Sequence, residues 1–197
     1  MQHRFKHICY NPVALLEGCT TVSTFVRRVN AQSVEDHAMG WTDSEYKGFA
    51  FEAFVEVLIK LSPIDKRINI VDYRPAAVST DGRDLGIDGY GRSHNGNVHT
   101  VQAKFVTNGT KLLTSDNRIS NFVAHTDSKM LVDPDYAEFR GQPYDMTVFT
   151  TASGLHHVLD EMYYKRVRTV GLKELKQLVD NNEPFWAEFQ RQLLETA

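Results

Sequence analysis

An acid and an amide–lysine pair stand close together in this chain. Asp88 lies in Asp84-Leu85-Gly86-Ile87-Asp88-Gly89, and Gln102 and Lys104 lie in Val101-Gln102-Ala103-Lys104-Phe105. Cleaving a phosphodiester with a divalent cation needs a cage of hard oxygen donors and a positive charge near the attacking water. One carboxylate, one side-chain carbonyl and a lysine two residues further on can supply both.

The intervening segment, residues 90–101 with Asn95-Gly96 at its tip, reads as a β-hairpin. Side chains at i and i+2 share a strand face, so Gln102 and Lys104 point together while Val101, Ala103 and Phe105 point the other way. A two-residue turn at Asn95-Gly96 would pair Asp88 with Ala103 and aim its carboxylate at the core, where an unpaired charge is costly. A three-residue loop, His94-Asn95-Gly96 with Gly96 left-handed, instead pairs Arg92 with Val98, Tyr90 with Thr100 and Asp88 with Gln102. Directly opposed residues have Cβ atoms about 4.5–5.5 Å apart, close enough to share one ion. The spacing predicts that register.

The elements around the hairpin follow from periodicity and caps. Residues 12–28 carry a helical pattern through Val13, Leu15, Leu16, Val22, Phe25 and Val26. Thr42-Asp43-Ser44-Glu45 fits a capping box. The helix after it is apolar at Phe51, Phe54, Val55, Leu58 and Ile59 and is ended by Pro63. Glu52 lies roughly 100° from the centre of that stripe, at the border of core and solvent. Glu56 lies further round and reads as solvated. Residues 67–73 read as a strand, 74–83 as a loop, and 117–125 as a helix capped by Ser115-Asp116. Residues 146–151 read as a buried strand, 155–164 as a helix, 167–170 as a strand and 172–179 as a helix. A last helix starts at Glu183-Pro184. The order α-β-β-β-α-β, then a helix, a strand and helices, gives an α/β fold with a mixed sheet between helices.

The chain has 197 residues, enough for one domain with a proper core, and its 42% hydrophobic and 24% charged content is that of an ordinary globular protein. No apolar run approaches the ~20 residues of a membrane span, and the first residues lack the apolar stretch of a secretory signal. Cys9 and Cys19 match no metal-ligand spacing and read as reduced thiols of a cytoplasmic protein. The net charge of −3 excludes a globally basic nucleic-acid binder. A local basic surface can still serve, and Arg83, Arg92, Lys104, Lys111, Arg118 and Lys129 gather around the pair in sequence.

Taken in order, Lys47-Gly48-Phe49-Ala50-Phe51-Glu52, Asp84-Leu85-Gly86-Ile87-Asp88, Gln102-Ala103-Lys104-Phe105 and the strand Thr147-Val148-Phe149-Thr150-Thr151 resemble the PD-(D/E)XK nuclease superfamily. Within it they look most like Mrr-type restriction endonuclease domains, as in type ISP restriction enzymes and helicase-linked nucleases. The resemblance covers about residues 42–182, with 1–41 as an N-terminal extension and 183–197 as a C-terminal helix suited to a partner. It implies a restriction-endonuclease-like core and a Mg²⁺-dependent deoxyribonuclease, with Mn²⁺ as a substitute. Asp88 would be the central metal ligand, and Gln102 and the Ala103 carbonyl would add oxygens. Glu52 would hold a metal-bound water or a second ion. Lys104 would orient or deprotonate the attacking water, or steady charge on the phosphate. The chief departure is Gln102, where the wider superfamily usually has an acid. The Mrr-like branch often carries Gln there, and the missing charge implies weaker Mg²⁺ binding.

Arg118, Ser120 and His156 are the candidates for touching DNA, the first two through the start of their helix. Ordinary capping explains Arg118 and Ser120 nearly as well, and solvation explains Glu52 equally well. Two other readings stay open. One is a non-catalytic DNA-binding or assembly module on the same fold. The other is a Holliday-junction resolvase acting as a homodimer. A helicase or methyltransferase domain or subunit is the expected partner class beside DNA.

Overall fold

A computed structural model describes residues 12–32, 42–62, 65–76, 86–114, 119–132 and 140–196. The expectations placed on Cys9, Pro63, Arg83, Asp84, Arg118 and the cap at 115–116 lie outside those residues. Five strands form one sheet in the order β1-β2-β3-β4-β5. They are β1 Val71–Pro75, β2 Gly89–Arg92, β3 Val98–Lys104, β4 Tyr144–Thr150 and β5 Val167–Val170. β1 pairs antiparallel with β2 and β2 antiparallel with β3, whereas β3, β4 and β5 are mutually parallel. This is the expected mixed sheet of an α/β fold.

Helices cover both faces. On one side lie α1 (Pro12–Leu16), α2 (Val22–Gln32), α3 (Asp43–Leu61), α6 (Leu172–Val179) and α7 (Glu183–Thr196). On the other lie α4 (Ile119–Val132) and α5 (His157–Met162), against Met146 and Val148 of the sheet. The α3 cap forms as expected. Thr42 Oγ1 accepts from the Glu45 N–H at 3.3 Å, and Glu45 accepts from the Thr42 N–H at 2.8 Å. The Thr42 N–H and the Thr42 hydroxyl, which both donate to the carboxylate at 2.8 Å, hold Glu45 below its ordinary pKa.

The single N-terminal helix expected over 12–28 is two. Gly18 takes a left-handed φ of +61° after α1, and Thr21 Oγ1 then accepts the Thr24 N–H at 3.1 Å to start α2. Both helices join the core through Leu15, Leu16, Val22, Phe25 and Val29. Their packing explains a second difference. Sheet on one side and α2 and α7 on the other bury α3 nearly all round. Phe54 stacks on Phe25 at 5.2 Å and meets Phe185 edge-on at 5.2 Å. Glu56, expected to be solvated, is therefore only 5% exposed and pairs with Lys60.

The first strand begins later than expected. Arg67 is held by Asp65, whose Oδ1 accepts from its backbone N–H and Nε at 2.8 and 2.9 Å. Asn69 and Asp72 are left-handed, with φ of 54° and 53°, and the β1–β2 register shifts between Val71 and Arg74. A residue in that conformation interrupts a strand.

Candidate active site

The hairpin forms with the expected loop. Ser93 N–H donates to Asn97 O at 2.8 Å, Gly96 has a φ of 88°, and Arg92 pairs with Val98 and Tyr90 with Thr100. Asp88 is the exception. The β2–β3 ladder ends at Gly89 opposite Val101, and Asp88 N–H donates to Val101 O at 2.8 Å, one position out of step. Its carboxylate then takes over as a main-chain partner, accepting the Ala103 N–H on Oδ2 at 2.7 Å. Asp88 thus stands at the fork where β2 leaves β3, bonded to the strand beside Gln102, rather than simply opposed to it.

The β3 faces divide as expected. Val101 and Ala103 join the α3 core, with Phe105 packed against it. Thr100, on the other face, meets Thr126 of α4 at 3.2 Å, and Gln102 shares that face. Gln102 is 0% exposed, and among the described residues neither its Oε1 nor its Nε2 has a hydrogen-bond partner. Lys104, half-buried, follows on the same face where β3 ends. Its carbonyl is gripped from β4 by Thr150 Oγ1 at 2.8 Å and Thr151 N–H at 3.3 Å. The lysine backbone is therefore fixed.

Two neighbours were not singled out from the sequence. Gly86 has a left-handed φ of 69°, and a Cβ there would lie 3.0 Å from Gln102 Nε2. Glycine lets the backbone close over the amide. The Tyr73 ring lies across Gly89, where a Cβ would come within 2.1 Å of its hydroxyl oxygen. Glycines on either side of an acid were the available signal, although either could equally have marked a plain turn.

Glu52 is half-buried on α3, whose core faces the Val101–Ala103 side of β3. The fold thus places it on the opposite layer from the Gln102 side chain. Ser120 is exposed, and its Oγ accepts the Tyr163 hydroxyl at 2.9 Å, which ties α4 to the end of α5. His156 precedes α5, and its ring lies tilted by 43° against that of His157 with centroids 4.1 Å apart.

The Gln102 amide also tests whether a cation fits. A buried amide oxygen without a partner among the described residues, the Asp88 carboxylate and the Ala103 main-chain carbonyl would together offer an oxygen-only set of low charge. Such a set suits Mg²⁺, which retains several waters, and does not suit Zn²⁺. Among the described residues no group of three His, Cys, Asp or Glu side chains could hold a metal ion.

No family model matches the chain, and no curated protein matches it. Among solved structures the chain is similar to the MspJI restriction endonuclease in complex with a 27-mer oligonucleotide, at 13% identity and a TM-score of 0.42. The match covers 89% of this chain and 36% of that one, so this chain spans about a third of its length. So low a score carries no argument, and the functional reading rests on the site itself. No helix among the described residues is long and apolar enough to cross a membrane.

Proposed function

We propose that this chain is a metal-dependent DNA endonuclease module of the Mrr-like PD-(D/E)XK type, working in the cytoplasm with Mg²⁺, or with Mn²⁺ in its place. One observation carries the reading. A fully buried amide, with neither of its polar atoms bonded among the described residues, lies on the strand that Asp88 grips and two residues before Lys104. A fold gains nothing from such an amide, which costs about 1–3 kcal/mol. A cation that takes Oε1 as a ligand would account for the oxygen.

In this reading Asp88, Gln102 Oε1 and the Ala103 carbonyl hold the cation. When bound, Mg²⁺ supplies a Lewis acid for the scissile phosphate and lowers the pKa of water. Asp88 holds strand and ligand together at the fork. Lys104 sets its Nζ beside the phosphate, orienting the attacking water and countering the charge that develops on oxygen. Glu52 approaches from the α3 layer and holds a water on the far side. Arg118, Ser120 and His156 are the proposed DNA contacts, and a helicase or methyltransferase domain remains the proposed partner. The shortage of carboxylates specifically favours one rival, a DNA-binding module without chemistry.

Nicking of supercoiled plasmid separates the two. The endonuclease reading expects Mg²⁺- or Mn²⁺-dependent nicking that Asp88→Ala and Lys104→Ala both abolish. DNA binding without cleavage in either metal would establish the rival. Preference for four-way junctions would mark a resolvase using the same residues.

A further inference from the structure

A cavity of about 340 Å³ opens where β3 and β4 end, between α2, the loop after β3 and the start of α6. Its α2 wall is Ser23, Val26, Arg27 and Asn30, and its other walls are Thr107, Gly109, Thr151 and Leu172. The α2 residues recur at i, i+3, i+4 and i+7, so they form one stripe about 10 Å long beside the buried stripe of Val22, Phe25 and Val29. One flank of α2 therefore builds the core while the next lines a cavity.

The lining is chemically mixed. Val26 and Leu172 give apolar walls, and Thr107 and Ser23 give hydroxyls. Arg27 is exposed, and among the described residues the side chains of Ser23, Arg27 and Thr107 make no hydrogen bond or ion pair. The floor is tightly built. A Cβ on Gly109 would lie 2.5 Å from Leu172 Cδ2 and 3.1 Å from Thr151 O. The cavity reaches the candidate site through the main chain, since Thr151 N–H donates to the Lys104 carbonyl, and lies on the α3 side of the sheet, opposite the Gln102 side chain. Ligands of open α/β sheets commonly bind beyond the carboxyl ends of strands.

From these features we infer that the cavity binds one unpaired nucleotide, with Arg27 on its phosphate, the hydroxyls on its sugar and the base between Val26 and Leu172. Its volume lies near the lower end of ligand pockets, about 300–1,000 Å³, which admits a single nucleotide and excludes a duplex. The Arg27 guanidinium selects phosphate, and the apolar walls select a flat ring over an inorganic anion. The inference rests on the endonuclease reading for its biological meaning, as the seat of a strand end or an extruded base beside the cut. The binding itself can be measured without any cleavage.

Calorimetric titration of the full chain with thymidine 5′-monophosphate, against inorganic phosphate and thymidine, tests it. Saturable binding of the nucleotide, weaker binding of either part, and a loss of roughly tenfold in Arg27→Gln support the site. Thr107→Val, which keeps the volume, should weaken binding, and Gly109→Ala should do so by driving Leu172 inward. Asp88→Asn should leave it unchanged. No nucleotide binding at 10 mM, equal binding by the Arg27 and Thr107 variants with unaltered melting curves, or loss in Asp88→Asn would overturn the inference. Wild-type plasmid nicking is scored separately. Nicking without nucleotide binding sinks the cavity alone, and nucleotide binding without nicking sinks the endonuclease alone.

Discussion

Replacing Gln102 by methionine tests the physical claim on which the site depends. Gln102 is fully buried and neither amide atom has a partner among the described residues, so the folded chain carries a desolvated amide that water had satisfied in the unfolded one. Leaving such a group unmet costs about 1–3 kcal/mol. Methionine is unbranched, adapts to irregular gaps and brings no polar group. In chelator, Gln102→Met should therefore be more stable by about 1–3 kcal/mol. For a chain of this length each kcal/mol moves the melting temperature by about 2–4 °C, so the rise should be between roughly 2 and 12 °C. Magnesium should act in the opposite sense. At ten times its Kd a ligand specific for the native state adds about 1.4 kcal/mol, which the wild type should gain and the variant should not. Thermal melting with EDTA and with MgCl₂ reads both effects. A variant less stable than wild type in EDTA by more than about 1 kcal/mol would mean that the fold itself satisfies the amide. The argument for a cation at Gln102 would then collapse.

Other perturbations probe neighbouring parts of the same logic. Gln102→Glu restores a charge at a fully buried position, so it should melt lower than wild type in chelator and recover on adding Mg²⁺; a melting curve indifferent to Mg²⁺ would refute a metal there. Gly86→Ala should cost about 1–2 kcal/mol in urea denaturation, because alanine is strained at a φ of 69° and its Cβ would crowd the Gln102 amide. His99 gives a pH test. It is buried and neutral, its pKa pushed down by desolvation to about 4. The unfolded imidazole, near its ordinary pKa of about 6.5, binds more protons, so stability is lost as pH falls between those values. The loss should reach about 2 kcal/mol between pH 7 and pH 5 by urea titration, and a shallower slope in His99→Gln would confirm its source. Ser93 has one hydroxyl proton and donates it to Asp145 Oδ2 at 2.5 Å, so Ser93 Oγ accepts from His99 Nδ1 at 3.1 Å. The His99 Nε2 lone pair is then left to accept from Thr147 Oγ1 at 2.7 Å.

Much of the fold was legible because local signals and tertiary packing agree. The Thr42–Glu45 capping box, the Gly96 loop and the short elements at 167–170 and 172–179 form where expected. Failures came where distant parts of the chain decide. Helices α2 and α7 cover the outer side of α3, which no periodicity within α3 announces, so Glu56 was misread. The first strand starts late because Asp65 captures Arg67 and Asn69 turns left-handed, a local bond that the alternation of Ile68 and Ile70 conceals. At the candidate site the faces of β3 and the pairing of Arg92 with Val98 and of Tyr90 with Thr100 were readable. The fork was not, since alternation cannot say where two strands part.

That fork changes what each residue can be taken to mean. Where β2 leaves β3, the Ala103 N–H loses its strand partner, and a buried donor must find an acceptor. Asp88 supplies one at 2.7 Å. An acid at that position thus has a structural reason to exist, and its presence alone is weak support for chemistry. Asp88→Asn keeps an oxygen for that bond while removing the charge, whereas Asp88→Ala leaves the donor unmet. The endonuclease reading therefore expects both variants to be inactive in plasmid nicking, with only the alanine variant losing about 1–3 kcal/mol of stability. An active Asp88→Asn would assign the aspartate wholly to the fold. Gln102 has no such excuse. Nothing in the described structure uses its amide, and an apolar side chain would fill the same space at lower cost. The residue least explained by folding is the one whose chemistry most needs a ligand.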